Sequence, residues 1–424
     1  MKAAAQLFTL ALRFVLALGL LQVVVCEKIL LLVSEEGLKN SHSAFIRNLQ
    51  KAWLTVEIKQ ISDPKLQLHS WGNWLYDGIV VLSTGSQDFG GAVDSALLVE
   101  FVDAGGSVFI ATNENPSPAI RDAASQLGAE FVEQGATARD YVAYAHEMDP
   151  SHLLTTSVYP SKVMTGTPNA PILYQGGALT TSPDSVLAMR ALMPAPTAVV
   201  TTGGTQLTGS EFALAVTMQT RTDARFCVLA SMAMLSDSAF ERKVAPAISG
   251  GASSGASGNA RLASALLLWT LKLQGVLKYE NLRHRRVGED IAPPANTYTV
   301  NDDIMLSLDV LERDGDSWRP HLSDSLVAQF VMLDPYVRQQ MQHDGQGAYS
   351  MSIRAPDTYG VFKWVVDYKA PGYTSMKFEE VTPVRPMRHD QYPRFILQAY
   401  PYYVTVMTVS VAFLVTVSVL MFQK

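Results

Sequence analysis

The chain has almost no cysteine: Cys26 and Cys227 are the two in 424 residues. Cys26 closes an N-terminal apolar run. Cleavage there leaves Cys227 alone, and a mature chain with one thiol forms no intramolecular disulfide. There is no C-x-x-C, no G-x-G-x-x-G and no Walker loop, and no two of the eight histidines stand at H-x-x-x-H spacing. The commonest zinc, dinucleotide and nucleotide signatures are therefore absent. N-x-Ser/Thr is missing too, since Asn115 is followed by Pro116, so no N-glycan is expected on this chain. Basic residues are in deficit, 33 against 39 acidic for a formal charge of −6. Without a long basic stripe, nucleic acid is excluded as a partner. Charged residues make up only 17% against 48% hydrophobic, the balance of a folded chain with apolar segments and not of a disordered one.

Two apolar segments account for part of that balance. Lys2 and Arg13 precede FVLALGLLQVVVC, the layout of a signal peptide over 1–26, with a signal anchor as the alternative. At the other end, residues 395–423 carry no charged side chain. A helix over 404–422 is about 30 Å long, enough to cross the hydrocarbon layer of a bilayer; a buried core helix seldom runs so far without a polar face. Tyr400, Tyr402 and Tyr403 in the preceding segment, 386–403, suit the headgroup level. Residues 423–424 form a cytosolic tail. Within the span, Thr405, Thr408, Ala412 and Thr416 fall in one narrow arc. Small side chains there allow another membrane helix to dock closely, or the threonines merely bond their own backbone. The signal peptide places the body in the lumen. The positive-inside rule alone gives the reverse, because Arg385, Arg388 and Arg394 lie on the luminal side against Lys424; the delivered luminal body takes precedence.

Between these segments the pattern changes twice. From EKILLLVS (27–34), continuous apolar runs alternate with helical spacing: helix over 38–53, strand in WLTVEIKQI, strand in YDGIVVLS (76–83), helix over 93–103, strand in GGSVFIAT (105–112), helix over 118–127. This predicts a doubly wound α/β, Rossmann-like domain over 27–140. Open sheets of this kind bind ligands at the carboxyl ends of their strands, here 34–37, 83–91 and 112–117. Strand-like runs crowd 141–280 (APILYQGGAL, FALAVTMQT, ARFCVLASMAML), interrupted by a Gly/Ser-rich loop over 249–260 and followed by a helix over 262–277. That region is expected to be a mixed α/β middle domain. A hinge over 281–299 holds HRR and Pro293-Pro294. From 300 to 385 the runs are all strand, joined by Gly-containing turns, as in a β-sandwich.

Isolated motifs assemble no active site. Gly251-Ala252-Ser253-Ser254-Gly255 fits G-x-S-x-G, but that chemistry needs a strand before it, and the match lies in low-complexity sequence. Asp314-Gly315-Asp316 offers two carboxylates to a cation, yet Asp-Gly between strand patterns is first a hairpin turn. Cys227 sits inside an apolar strand pattern and is expected to be a core thiol.

Several longer stretches carry a resemblance. RVGEDIAPPANTYTV (286–300), DPYVR (334–338), PDTYGVFKWVVDY (356–368), VRPMRHDQYPRF (384–395) and AYPYY (399–403) resemble the 48 kDa subunit family of the oligosaccharyltransferase complex. QDFGG (87–91) and GGSV at Gly105 are similar as well. The resemblance implies a type I protein of the endoplasmic reticulum membrane that is a structural, non-catalytic subunit. Its complex moves a preassembled oligosaccharide from dolichyl diphosphate to Asn of N-x-Ser/Thr. It further implies that the active site lies in a multi-spanning catalytic subunit, that ribophorins and the defender-against-cell-death subunit are neighbours, and that no cofactor is bound. The first domain would be glutamine-amidotransferase-like without its nucleophile, and no cysteine follows the strand ending at Ser83. Family members often end in a lysine-bearing tail; this sequence ends Met421-Phe422-Gln423-Lys424, so retention is expected to depend on partners. Of another class is a luminal carbohydrate-binding module, with Ser83, Gln87, Asp88, Asn113 and Glu114 facing the donor glycan. A third reading, an independent hydrolase, predicts dependence on Ser253 or Cys227.

Overall fold

A computed structural model describes residues 28–423 apart from 53–54, 86, 147, 169, 183–184, 246–254, 290–296 and 393–395. The signal peptide expected over 1–26, most of the G-x-S-x-G match and Pro293-Pro294 lie outside the described residues. The chain forms a mixed, strand-rich α/β structure of two compact units. Among the described residues, the first holds those up to Tyr279 with 310–321 and 368–376; the second holds those of 280–309, 322–367 and 377–423.

The first unit is built on a seven-stranded sheet. Its strands are β1 (Lys28–Val33), β2 (Thr55–Gln60), β3 (Gly78–Ser83), β4 (Ser107–Thr112), β5 (Ala188–Leu192), β6 (Ala215–Gln219) and β7 (Arg225–Leu229). The order across the sheet is β5-β6-β7-β4-β3-β1-β2. The five strands from β7 to β2 run parallel, whereas β6 and β5 are each antiparallel to their inner neighbour. Every residue of β3, β4 and β7 is buried, which is why these strands read as unbroken apolar runs and not as alternation. Ile29, Leu31, Val80, Leu82 and Phe109 share one core with Phe45 and Leu49 of α1 (Ser43–Lys51) and Leu266 of α4 (Asn259–Thr270). Their neighbours Leu30, Leu32, Ile79, Val81 and Val108 share the other with Leu98 and Phe101 of α2 (Ser95–Asp103) and Ile120 of α3 (Pro118–Gln126). Each such fully buried side chain contributes about 1.5–3 kcal/mol. Helix α3 starts where Ser117 caps the Ile120 N–H and Pro118 takes the first turn, the arrangement that leaves fewest orphan donors.

Four expectations need correction here. The break expected at 140/141 does not exist, because β5, β6 and β7 complete the sheet begun by β1 to β4, and β7 pairs directly with β4. The helix expected over 38–53 is interrupted at His42 (φ −121°, ψ 32°), whose buried ring bonds Ser41 Oγ and the Met232 carbonyl. The loop expected over 249–260 ends early, since Asn259 already opens α4 and its amide bonds both backbone groups of Leu173. The helix expected to reach Leu277 stops at Thr270; Lys272 turns the chain with φ +58° and a strand begins at Gln274.

From Gln274 onward the longer strands alternate buried and more exposed residues, the mark of sheets with one face on a core. One sheet runs β8 (Gln274–Arg286), β10 (Asp303–Asp314), β15 (Ala348–Arg354), β14 (Gln342–His343), with β11 (Ser317–Pro320) also on β10. The other runs β9 (Tyr298–Thr299), β17 (Met376–Arg385), β16 (Gly360–Tyr368), β12 (Val327–Val331), β13 (Pro335–Gln340). Phe330 stacks on Phe362 at 4.7 Å and tilts against Trp364 at the same distance. The hinge expected over 281–299 is strand as far as Arg286, because Gln274–Arg286 holds sheet alternation through the basic cluster. Asp314-Gly315-Asp316 is the expected hairpin turn, with Asp314 opposite Ser317 and Gly315 at φ +64°.

His284 on β8 bonds the Tyr298 hydroxyl on β9 at 2.7 Å and so ties one sheet to the other. Burial holds its imidazole below the ordinary value of 6.5, against a smaller opposing pull from Glu380. Folding thus disfavours the charged ring, and the unfolded chain binds more protons between the lowered value and the ordinary one. Stability should fall as pH drops through the ordinary imidazole range and level off once the folded ring also titrates. Melting curves of the detergent-solubilised chain between about pH 7.5 and 5.5 check this; His284→Asn should flatten the slope.

The chain ends in α5 (Tyr400–Phe422), part of an apolar helical stretch Leu397–Phe422 with none of its residues buried. Its 23 residues span about 35 Å. The helix expected from Val404 therefore starts earlier, and Tyr400, Tyr402 and Tyr403 belong to its first turn.

Candidate functional site

The carboxyl ends of the parallel strands hold a polar cluster made by loops that the sheet brings together. Ser34 Oγ lies 2.9 Å from Thr84 Oγ1 and accepts the Thr84 N–H at 3.1 Å. Asn113 donates to the Thr84 carbonyl at 3.2 Å and accepts the Met232 N–H at 3.3 Å. Ser83 is buried and its hydroxyl donates to the Gly85 carbonyl at 2.9 Å. Gln87 and Asp88 are exposed and Glu114 half-buried. Two of the five expected glycan-facing side chains, Ser83 and Asn113, thus use their polar atoms inside the fold, whereas Gln87 and Asp88 face solvent. The glycines of QDFGG have a packing reason: the Gly90 N–H bonds the Ile61 carbonyl, and a side chain on Gly91 (φ +66°) would run into the Leu66 carbonyl.

Cys227 is fully buried in β7 and burial pushes its thiol up to about 12, whereas a nucleophilic cysteine needs an accessible thiolate. In the folded chain it should resist maleimide, reacting only after denaturant is added, with mass spectrometry as the readout. No group of three or more His, Cys, Asp or Glu is placed to hold a metal ion among the described residues.

Sequence reasoning missed a groove of about 530 Å³ in the first unit, lined by Val186, Leu187, Met189, Gln219, Pro371 and Tyr373 among others. One wall is the loop from 369 to 375. It is held by Arg225, which is fully buried at the head of β7. The guanidinium donates to the carbonyls of Trp269 (2.7 Å), Gln274 (2.6 Å), Gly275 (2.8 Å) and Gly372 (3.4 Å). It also lies over the Trp269 ring at 4.8 Å, and the indole N–H donates to the Gly372 carbonyl at 2.7 Å. Burial lowers its pKa to about 9, partly offset by Asp223, so the group is still charged at neutral pH. Asp223 accepts from the N–H and hydroxyl of Ser375, each at 2.9 Å, and Gln219 donates to the Tyr373 carbonyl at 2.8 Å. The one sequence signal for this clasp is an arginine opening an otherwise apolar strand.

In α5 the threonine hydroxyls bond their own helix. Thr405 donates to Pro401 and Tyr402, Thr408 to Thr405 and Thr416 to Ala412, all at 2.8–2.9 Å.

Comparison with known proteins adds the following. Residues 22–273 match the family described as the OST48 N-terminal domain and residues 284–424 the OST48 middle domain. A dolichyl-diphosphooligosaccharide–protein glycosyltransferase 48 kDa subunit of Arabidopsis thaliana is 33% identical over 410 residues, covering 94% of this chain and 93% of its own. The protein of the same name in Danio rerio is 32% identical (89% and 87% covered) and that of Caenorhabditis elegans 30% (89% and 87%). Among solved structures, the carbohydrate deacetylase Agd3 aligns at a TM-score of 0.33 and 14% identity over 59% of this chain and 33% of its own. A putative ThuA-like protein of Parabacteroides merdae aligns at 0.28 and 13%, over 57% and 89%. Neither alignment is close enough to bear on fold or chemistry.

Proposed function

The chain belongs to the OST48 family of dolichyl-diphosphooligosaccharide–protein glycosyltransferase 48 kDa subunits, and on that premise we propose that it serves its complex without an active site of its own. It is a structural subunit of the oligosaccharyltransferase complex, which transfers a preassembled oligosaccharide from dolichyl diphosphate to Asn of N-x-Ser/Thr in nascent proteins. The observation that carries this is the 33% identity sustained over 94% of the chain.

The chemistry of the residues supports the non-catalytic part. The strand-end hydroxyls and amides bond one another, and the thiol nearest the sheet is buried and protonated. One apolar helix cannot enclose a polyprenyl diphosphate, so the reacting groups belong to a multi-spanning neighbour. We read the first unit as a doubly wound, amidotransferase-like fold without its nucleophile, since Ser83 is followed by Thr84-Gly85 and no cysteine. The second unit reads as a β-sandwich. The chain sits in the endoplasmic reticulum membrane by α5, type I, with the described residues before α5 luminal, and Tyr400, Tyr402 and Tyr403 at the headgroup level. Its neighbours are the catalytic subunit, ribophorins and the defender-against-cell-death subunit. Thr405, Thr408, Ala412 and Thr416 form the face on which a neighbouring helix packs.

The carbohydrate-binding alternative has less behind it, because Ser83 and Asn113 are already engaged inside the fold. Depleting the protein from its own cells should impair glycosylation of sequon reporters and destabilise the complex. A replacement chain with Gln87→Ala, Asp88→Ala and Glu114→Ala should restore both. An intact complex that glycosylates poorly with that triple variant would favour the glycan reading. Normal glycosylation after complete depletion would overturn the proposal.

A further inference from the structure

The turn between the last strand and the membrane helix carries arginine charge that the fold itself does not consume. Strand β17 ends at Arg385, which pairs with Thr299 of β9 and whose carbonyl accepts the Val300 N–H at 3.0 Å. Beyond it the chain folds back through Gln391. The side-chain oxygen of Gln391 accepts from Arg385 Nη1 and from the Arg388 N–H, each at 3.0 Å. The Gln391 N–H in turn bonds the Arg388 carbonyl at 2.9 Å. One amide thus holds the Arg385 guanidinium beside the Arg388 backbone at the end of a sheet, leaving little freedom to lose on binding. Arg385 spends only Nη1 on these contacts, the Pro386 carbonyl included. Arg388 is exposed, and its guanidinium has no hydrogen bond or ion pair among the described residues.

The chain ties this turn to the bilayer. The apolar helical stretch begins at Leu397, and the step from Gln391 to Leu397 spans at most about 20 Å. On the type I reading Arg385 and Arg388 are luminal, against Lys424 alone beyond the span. That arrangement opposes the charge bias that orients single spans, so the arginines are kept at a cost to insertion. Asp390 is exposed in the same turn and offsets one charge. What the turn offers is therefore not a broad positive field but planar forks of N–H donors, the geometry that pairs with a phosphate.

We propose that Arg385 and Arg388 bind the phosphate of a membrane lipid at the luminal headgroup level, Arg388 as the free fork and Arg385 held beside it. This rests on the type I reading given above. Two sources carry that chemistry, the phosphodiester of a phospholipid and the diphosphate of a polyprenyl lipid. Acidic side chains of a neighbouring protein also suit a guanidinium, but the short tether to the span favours the bilayer surface, where basic residues flanking a membrane helix meet lipid phosphates.

The test uses the full-length chain in microsomes from cells depleted of the endogenous protein. Four photoactivatable lipids are added in turn: a polyprenyl diphosphate, the matching polyprenol, phosphatidylglycerol and diacylglycerol. Mass spectrometry reads the crosslink yield within 384–399, so that lipid bound elsewhere in the complex does not count. The unaltered chain should be labelled there by the two phosphate-bearing lipids and by neither alcohol. Arg388→Gln breaks no side-chain bond of the fold, so its melting temperature should be unchanged while labelling falls about tenfold, the scale of one charge-assisted hydrogen bond. Adding Arg385→Gln should abolish it. Preference for the polyprenyl diphosphate assigns the turn to the donor lipid and equal labelling assigns it to bulk headgroups; either supports the proposal. Undiminished labelling of both variants, or equal labelling by the polyprenol, overturns it. So does loss of a neighbouring subunit from Arg388→Gln with lipid labelling unchanged, since the arginine then meets a protein carboxylate. Asp390→Cys should take an impermeant maleimide only after the microsomes are opened. Labelling of sealed microsomes would instead overturn the type I reading.

Discussion

Replacing Arg225 with methionine should destabilise the first unit by about 1–3 kcal/mol, the cost of leaving buried carbonyls short of a hydrogen-bond donor. Four carbonyls receive the guanidinium; that of Gly372 keeps the Trp269 indole as a donor, that of Trp269 the Lys272 N–H and that of Gly275 the Thr374 N–H. The carbonyls of Trp269, Gln274 and Gly275 would lose this donor at a site closed to solvent, and an unmade buried hydrogen bond costs more than a made one contributes. Methionine fills much of the volume, so the loss reads as polar, not as a cavity. Arg225→Lys keeps the charge but replaces a planar fork by a compact ammonium that cannot reach all four oxygens. Its effect should be roughly half as large. Against a total stability of about 5–15 kcal/mol, the methionine variant should melt below the parent in thermal unfolding or limited proteolysis. The loop 369–375 should become the earliest cleavage site. An unchanged melting temperature for Arg225→Met would mean that the clasp is incidental to the fold.

That clasp also marks where the sequence stops being readable. The runs ILLLV, IVVL and VFIA announce buried strands by composition alone, and β1, β3 and β4 follow them closely. The union of residues 141–280 with the first sheet was not legible. It depends on β7 lying beside β4, from which it is separated by more than a hundred residues, and local periodicity says nothing about which strand is whose neighbour. The end of α4 was misread for a related reason. LLLWTLKLQGVL is apolar apart from Thr270, Lys272 and Gln274, helix and strand both suit it, and the decision falls to one positive φ at Lys272 that the side chain does not advertise. The strand-end site was legible in position, because open sheets gather loops there, but not in state. Whether Ser83 and Asn113 face a ligand or their own backbone depends on distances across loops far apart in sequence.

In the membrane helix the geometry separates two readings of one stripe, and Ala412→Phe is where they part. This change should weaken co-purification of partner subunits at least about tenfold, whereas Thr408→Val with Thr416→Val should leave it within about threefold. The hydroxyls of Thr405, Thr408 and Thr416 donate to carbonyls of their own helix. A second helix is not needed to satisfy them, and exchanging hydroxyl for methyl leaves the shape of the face intact. Lipid offers no hydrophobic drive for helices to associate, so what remains is how closely two backbones can approach. Ala412 lies midway along the stripe, and a phenyl ring there holds the partner away along its length. The threonines then matter for their smallness and their single preferred shape. The opposite outcome, assembly lost with the valines and kept with the phenylalanine, would mean that the hydroxyls exchange their backbone acceptors for partners across the interface.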